Sequence, residues 1–211
     1  MRRTATTAHA ILGLLALRPQ WTTWELTKQM RRNLRFFWPR AESRIFAEAR
    51  ALEADGLARA EQSFVGRRAR TTYGISDAGR ESLRRWLATP PGATTLECEA
   101  VLRVFLADLS GTDAQQHVAV ALERVRADAH AVLDVGRVAG PEYLAGTAPF
   151  QDQIHVRALV FDFLSHHARM LLDWADRTEA AVAEWSRQSP QERADAGRTH
   201  IARCLAAFPP V

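Results

Sequence analysis

The hydrophobic positions recur at two different periods, and the change of period divides the first part of the chain. Within residues 5 to 18, Ile11, Leu12, Leu14, Leu15 and Leu17 predict a mostly buried helix that closes at Arg18-Pro19. A second helix follows, capped by Thr22 or Thr23, with Trp24, Leu26 and Met30 as its apolar contacts. Phe36, Phe37 and Trp38 read as a plug between helices. Pro39 suits the first turn of a third helix, where a missing N–H is no loss. Ile45, Phe46, Ala49 and Leu52 form that helix's apolar face, and Asp55-Gly56 ends it. The period then shortens: Ala58-Arg59-Ala60-Glu61 alternates like a half-buried strand. Gly66-Arg67-Arg68-Ala69-Arg70 reads as a turn, and Thr71-Thr72-Tyr73-Gly74-Ile75 returns the chain as a second strand. Ser76 caps a helix from about Asp77, with Leu83, Trp86 and Leu87 on one side.

Thr89-Pro90-Pro91-Gly92 breaks the pattern and predicts a domain boundary, separating residues 1–90 from 91–211. Beyond it the period is helical throughout. One helix is expected over residues 96 to 109 and a long amphipathic one over 114 to 138, stopped by Gly140-Pro141. A loop over 142 to 150 leads to a second long helix over 152 to 188, and residues 191 to 208 have the pattern of a short one. The wide apolar faces of the two long helices exceed what one three-helix layer covers. They predict packing against a second subunit or against the first domain.

Charge sharpens the division. Residues 1 to 90 hold 17 Lys/Arg against 8 Asp/Glu, a net +9, while residues 91 to 211 hold 11 against 16, a net −5. A basic half joined to an acidic half suits a nucleic-acid-binding domain with a non-binding partner domain. The cations also concentrate. Lys28, Arg31, Arg32 and Arg35 recur at helical spacing on the second helix, placed to touch phosphates. Arg40, Ser43 and Arg44 lie on the small, cationic face of the third, where arginine can bond guanine in two places. Arg67, Arg68 and Arg70, with Thr71 beside them, crowd the hairpin. A helix with such a face followed by a basic hairpin is the arrangement of a winged helix-turn-helix. The predicted fold is mainly α. A winged helix-turn-helix domain, with three to four helices and a two-stranded β-hairpin wing, precedes an all-helical domain.

The same stretches resemble the PadR family of bacterial transcriptional regulators. The marks are the opening run from Ala10 to Leu17, then Phe37-Trp38-Pro39, Ser43-Arg44-Ile45-Phe46, Leu52-Glu53-Ala54-Asp55-Gly56-Leu57, and the run from Arg70 to Gly79. The chain departs from the family at Thr23, where glycine is usual, and at Trp24, where tyrosine is usual. The resemblance implies a dimeric regulator, a repressor, that binds double-stranded operator DNA and leaves it when a small aromatic or drug-like effector binds. It also implies that the helical domain dimerises. His155, Phe163 and Trp174 are the candidate effector-pocket residues.

Catalytic and metal motifs do not appear. There is no glycine-rich phosphate loop, no His-Glu-x-x-His, no Cys-x-x-Cys and no Gly-x-Ser-x-Gly. His166 and His167 point about 100° apart on a helix and cannot face one ion together. No enzyme, metal or cofactor is expected. No run is long enough to span a bilayer, and Cys98 and Cys204 stand in no redox spacing, so a cytoplasmic protein is expected. The competing reading is a protein-interaction or ligand-binding module without sequence-specific DNA binding. The cations on the hairpin weigh against it.

Overall fold

The structure is a computed structural model that describes residues 5–65 and 68–208, the side chains at 33, 65, 68 and 69 excepted. It divides into two compact units, Met1–Thr94 and Thr95–Val211.

In the first unit, α1 (Thr6–Ala16), α2 (Thr23–Leu34), α3 (Glu42–Ala54) and α4 (Asp77–Leu87) pack with a three-stranded antiparallel sheet. The sheet order is β1 (Trp21–Thr22), β3 (Arg68–Ile75), β2 (Ala58–Val65). The core is built from Ile11, Leu12, Leu15, Trp21, Leu26, Ile45 and Leu52, all fully buried. The ends of the elements follow from local chemistry. Thr22 and Glu25 form a reciprocal capping box at the start of α2. Gly56 takes φ +72° after α3, and the Leu57 N–H then bonds the Leu52 carbonyl at 2.8 Å. Ser76 caps α4 by accepting the Gly79 N–H at 3.0 Å, while its own hydroxyl donates to the Gly56 carbonyl at 2.7 Å. Gly79 has to be glycine, because an added Cβ would lie 2.0 Å from the Leu57 carbonyl oxygen.

Several expectations for this unit are corrected. Strand β1 was not foreseen, because two residues carry no period of their own; its register, Trp21 opposite Tyr73 and Thr22 opposite Thr72, is set by β3. Trp24 is not an apolar contact but 66% exposed. Helix α3 begins at Glu42 after the extended Ala41, so Arg40 lies outside it. The basic turn is shorter than expected, because pairing runs out to Val65 opposite Arg68, which puts Arg68, Ala69 and Arg70 on β3. Leu87, like Phe37, is exposed.

In the second unit, α5 (Glu99–Phe105) and a 3-10 segment (Ala107–Asp113) precede two long helices, α6 (Ala114–Leu144) and α7 (Ile154–Ala183). The helix expected over 96 to 109 is broken, with Leu96 and Leu109 exposed. Helices α6 and α7 run antiparallel: the Gln115 side chain donates to the Val182 carbonyl at 2.6 Å, and Arg126 bonds Asp176 and Glu179 at 2.9 and 2.6 Å. Val118, Ala121, Leu122, Val125 and Ala129 of α6 are buried, as are Leu164, Ala168, Ala175 and Val182 of α7. The alanines let the two backbones approach closely. Helix α6 does not stop at Gly140-Pro141. Proline removes one hydrogen bond, but Gly140 has no Cβ to meet the proline ring, so the last turn continues to Leu144. A final helix, α8 (Pro190–Ala206), starts with a capping box at Ser189 and is exposed along its whole length.

Candidate nucleic-acid interface

The candidate cations fall on three elements of the first unit. Lys28, Arg31 and Arg32 on α2 are exposed, as is Arg35 just past its end. Two are held by neighbours: the Lys28 ammonium lies 4.9 Å from the Trp24 ring centroid, and the Arg35 guanidinium 4.4 Å from that of Phe36. Arg31 pairs with Glu42 at 3.0 Å, linking α2 to the first turn of α3. On α3, Ser43, Arg44 and Ala47 present an exposed face opposite buried Ile45, Ala49 and Leu52. The Arg44 guanidinium pairs with Glu48 at 2.6 Å and remains half exposed, whereas Glu48 is buried.

Arg40 serves differently from the other two predicted residues of that helix. Its Nε donates to Thr7 Oγ1 at 3.3 Å, its Nη1 to the Pro39 carbonyl at 2.6 Å, and its guanidinium lies over the Trp38 ring. These contacts tie the approach to α3 onto α1. The predicted aromatic plug is partial: Phe36 and Trp38 are half-buried, and the Trp38 indole N–H donates to Thr7 Oγ1 at 3.2 Å.

On the hairpin, Arg70 is exposed and sits opposite Ser63, while Thr71 is half-buried opposite Gln62. Arg67 and the side chain of Arg68 lie outside the described residues. Arg59, absent from the sequence candidates, shares the Arg70 face of the hairpin by strand alternation and is exposed, 3.9 Å from Asp77. Its signal was present in the alternation of β2, but it stands well away from the cluster at residues 67 to 70.

Glu25, in the first turn of α2, is held ionised by its own neighbours. Burial alone would raise the Glu25 carboxyl. The hydroxyl and N–H of Thr22 and the Arg18 guanidinium at 2.6 Å overcome that and hold it at about 2. His9, stacked on Trp86 at 4.9 Å between α1 and α4, is also shifted down, toward its neutral form. Desolvation lowers its pKa, partly offset by the Ala5 carbonyl.

The effector candidates are not gathered in one chain. His155, Phe163 and Trp174 all lie on α7, spread over about 28 Å at 1.5 Å per residue. His155 and Phe163 are exposed, and Trp174 packs half-buried against the core formed with α5 and α6. A cleft of about 300 Å³ between α6 and α7 is lined by Gln115, Val118, Leu122, Glu179, Val182 and others, and none of the three reaches it. Among the described residues, no group of three or more His, Cys, Asp or Glu could hold a metal ion. No helix among them is long and apolar enough to cross a membrane.

No family model matches the chain. A protein of Mycobacterium tuberculosis described as a probable transcriptional regulator is 27% identical over 190 residues, 83% of this chain and 97% of its own. PadR of Bacillus subtilis in complex with operator DNA superposes with a TM-score of 0.67 at 20% identity, covering 84% of this chain and 99% of that one. The same protein in complex with p-coumaric acid gives 0.60 at 22% identity, covering 85% and 100%. The virulence activator AphA of Vibrio cholerae gives 0.62 at 19%, covering 84% and 98%. All of these relatives are regulators, and none is an enzyme. The resemblance read from the motifs is thus met in three dimensions: the chain has the winged-helix fold of the PadR-like transcriptional regulators.

Proposed function

We propose that this chain is a PadR-like, DNA-binding transcriptional regulator that acts as a homodimer in the cytoplasm and represses its target until a small aromatic or drug-like molecule releases it. The observation that carries the DNA part is the exposed cationic face of α2 and α3, continued by Arg59 and Arg70 on the hairpin. Helix α3 would enter the major groove with Ser43 and Arg44, α2 would lie along phosphates, and the hairpin would follow the backbone or the minor groove. A protein-binding wing has little need of such a face.

The dimer is supported by α7. Val156, Val160, Phe163, His167 and Met170 recur at steps of four and three, a heptad seam offset from the residues buried against α6. Val156, Val160, Phe163 and Met170 on it are 43 to 64% exposed. Two winged domains on such a dimer would match half-sites about one helical turn apart. An effector that favours a dimer with the wrong spacing would weaken DNA binding by shifting the population. The relative bound to p-coumaric acid supports the effector class.

The test is fluorescence anisotropy of a labelled duplex taken from upstream of the protein's own coding region, titrated at two salt concentrations beside a scrambled duplex. Tighter binding to the native duplex supports the regulator. Equal and weak binding to both overturns sequence-specific regulation at that site. Replacing Arg67 and Arg68 together by alanine should lower affinity and flatten the salt dependence, and an unchanged slope would remove the hairpin from the interface.

A further inference from the structure

Trp24 contradicts the role its sequence position suggests. A helix-facing tryptophan normally buries much of its 150–250 Å², yet this one is 66% exposed. Its position on the helix is specific. With about 100° per residue, Trp24, Lys28, Arg31 and Arg35 fall within an arc of about 60° and extend over about 16 Å. Trp24 is therefore the amino-terminal member of the cationic stripe. Lys28, one turn on, holds its ammonium over the exposed ring at 4.9 Å. The Trp24 indole N–H has no hydrogen-bond partner among the described residues. Glu25, beside Trp24 in the chain, is engaged by Thr22 and Arg18, and Glu42 pairs with Arg31 of the stripe. The pairing of Thr22 with Thr72 places this first turn of α2 beside the middle of β3.

An exposed flat apolar ring that carries an N–H donor, at the head of a line of cations, is complementary to a sugar–phosphate backbone. The ring can pack on a deoxyribose while its N–H and the ammonium share a phosphate. A protein partner of ordinary surface would have to neutralise three cations, of which only Arg31 has a carboxylate partner among the described residues. We propose that Trp24 is a positioning residue for duplex DNA, seating one strand's backbone against the start of α2. This rests on the DNA-binding reading above.

The test uses the full chain with Trp24→Ala, Trp24→Phe and Lys28→Ala, each checked for retained helicity. Binding is followed by anisotropy on the native upstream duplex and on a scrambled duplex at two salt concentrations. Because the contact is to backbone, Trp24→Ala should weaken both duplexes equally, by about ten-fold, as for loss of a hydrogen bond to a charged group. The salt slope should be unchanged, since no charge is removed. Trp24→Phe should fall between. Lys28→Ala should instead flatten the slope by about 1. Wild-type binding that survives Trp24→Ala on both duplexes overturns this inference alone. So does a loss confined to the native duplex, which would make Trp24 a base reader. A changed oligomeric state with unchanged affinity would assign the ring to a second copy and overturn it too. If the wild-type chain binds neither duplex, the regulator reading fails and this inference with it.

Discussion

Two glycines in helices of the first unit should respond to the same substitution with opposite sign. Gly13 lies within α1 with nothing within 4 Å of an added Cβ. Gly79 lies in the first turn of α4, where an added Cβ would fall 2.0 Å from the Leu57 carbonyl oxygen and 3.0 Å from its carbon. In an open helix, Gly→Ala stabilises by about 0.5–1 kcal/mol, because glycine loses more backbone freedom on folding. Gly13→Ala should show that gain. At Gly79 the obstacle is backbone, which cannot swing aside as a side chain can. Relief requires moving α4 away from the start of β2, and that motion strains the Ser76 bonds to Gly56 and Gly79. Overpacking of this kind costs about 1–3 kcal/mol, and losing the cap adds about 1. Net of the entropic gain, Gly79→Ala should destabilise by about 2–3 kcal/mol. For a unit of this size that lowers its melting temperature by roughly 10–20 °C. Scanning calorimetry of the full chain, with the transition of the first unit compared across wild type and the two variants, reads this directly. A Gly79→Ala protein as stable as wild type would refute the close approach of α4 to Leu57. A destabilised Gly13→Ala would refute the open environment assigned to α1.

Other outcomes follow from the same contacts. His9 is held neutral by desolvation, so its folded pKa lies below the unfolded one. Its contribution is complete above about pH 6.5 and is lost as pH falls through the lowered value. In thermal scans from pH 7.5 to 5 the melting temperature of wild type should fall relative to that of His9→Phe, and parallel curves would remove His9 as the cause. Arg44→Gln should weaken DNA binding, flatten the salt slope by about 1, and also destabilise α3, since it strands the buried Glu48. Adding Glu48→Gln should restore stability but not binding, and a double variant that binds like wild type would exclude Arg44 from the interface. Val160→Asp, in the exposed seam of α7, should convert a dimer to a monomer by sedimentation, and an unchanged dimer would place the interface elsewhere.

The parts of this fold that were legible in the sequence are those where a residue type answers a local demand. Ile45, Ala49 and Leu52 mark the inner face of α3, Gly56 its left-handed end, and Ser76 the start of α4. Period alone misled where it had to choose which face turns inward. Trp24 and Leu26 are both apolar, and only the packing of α2 buries one and exposes the other. Pairing was equally hidden. Strand β1 exists because β3 offers a partner, and the extension of β3 back to Arg68 follows from its register with β2. Pro141 read as a stop, although the glycine before it permits the helix to run on. The candidate cations were legible as a group. The separate use of Arg40, drawn onto Thr7 and Trp38, was not, because it depends on a contact across 33 positions.

The two-residue pairing of β1 with β3 has a consequence for how such a chain can diverge. It fastens the start of α2 to the hairpin through main-chain groups, and the Ser76 N–H bond to the Leu57 carbonyl at 3.2 Å ties the end of β3 to the residue leading from α3 into β2. The interval between α3 and the hairpin is therefore ruled by backbone, which exchange of an exposed side chain leaves intact. On the proposed DNA-binding reading, substitutions at Ser43, Arg44 or Arg70 would retune what each part grips while the span between the grips stays constant. Recognition can drift along a lineage letter by letter, within a frame of fixed length.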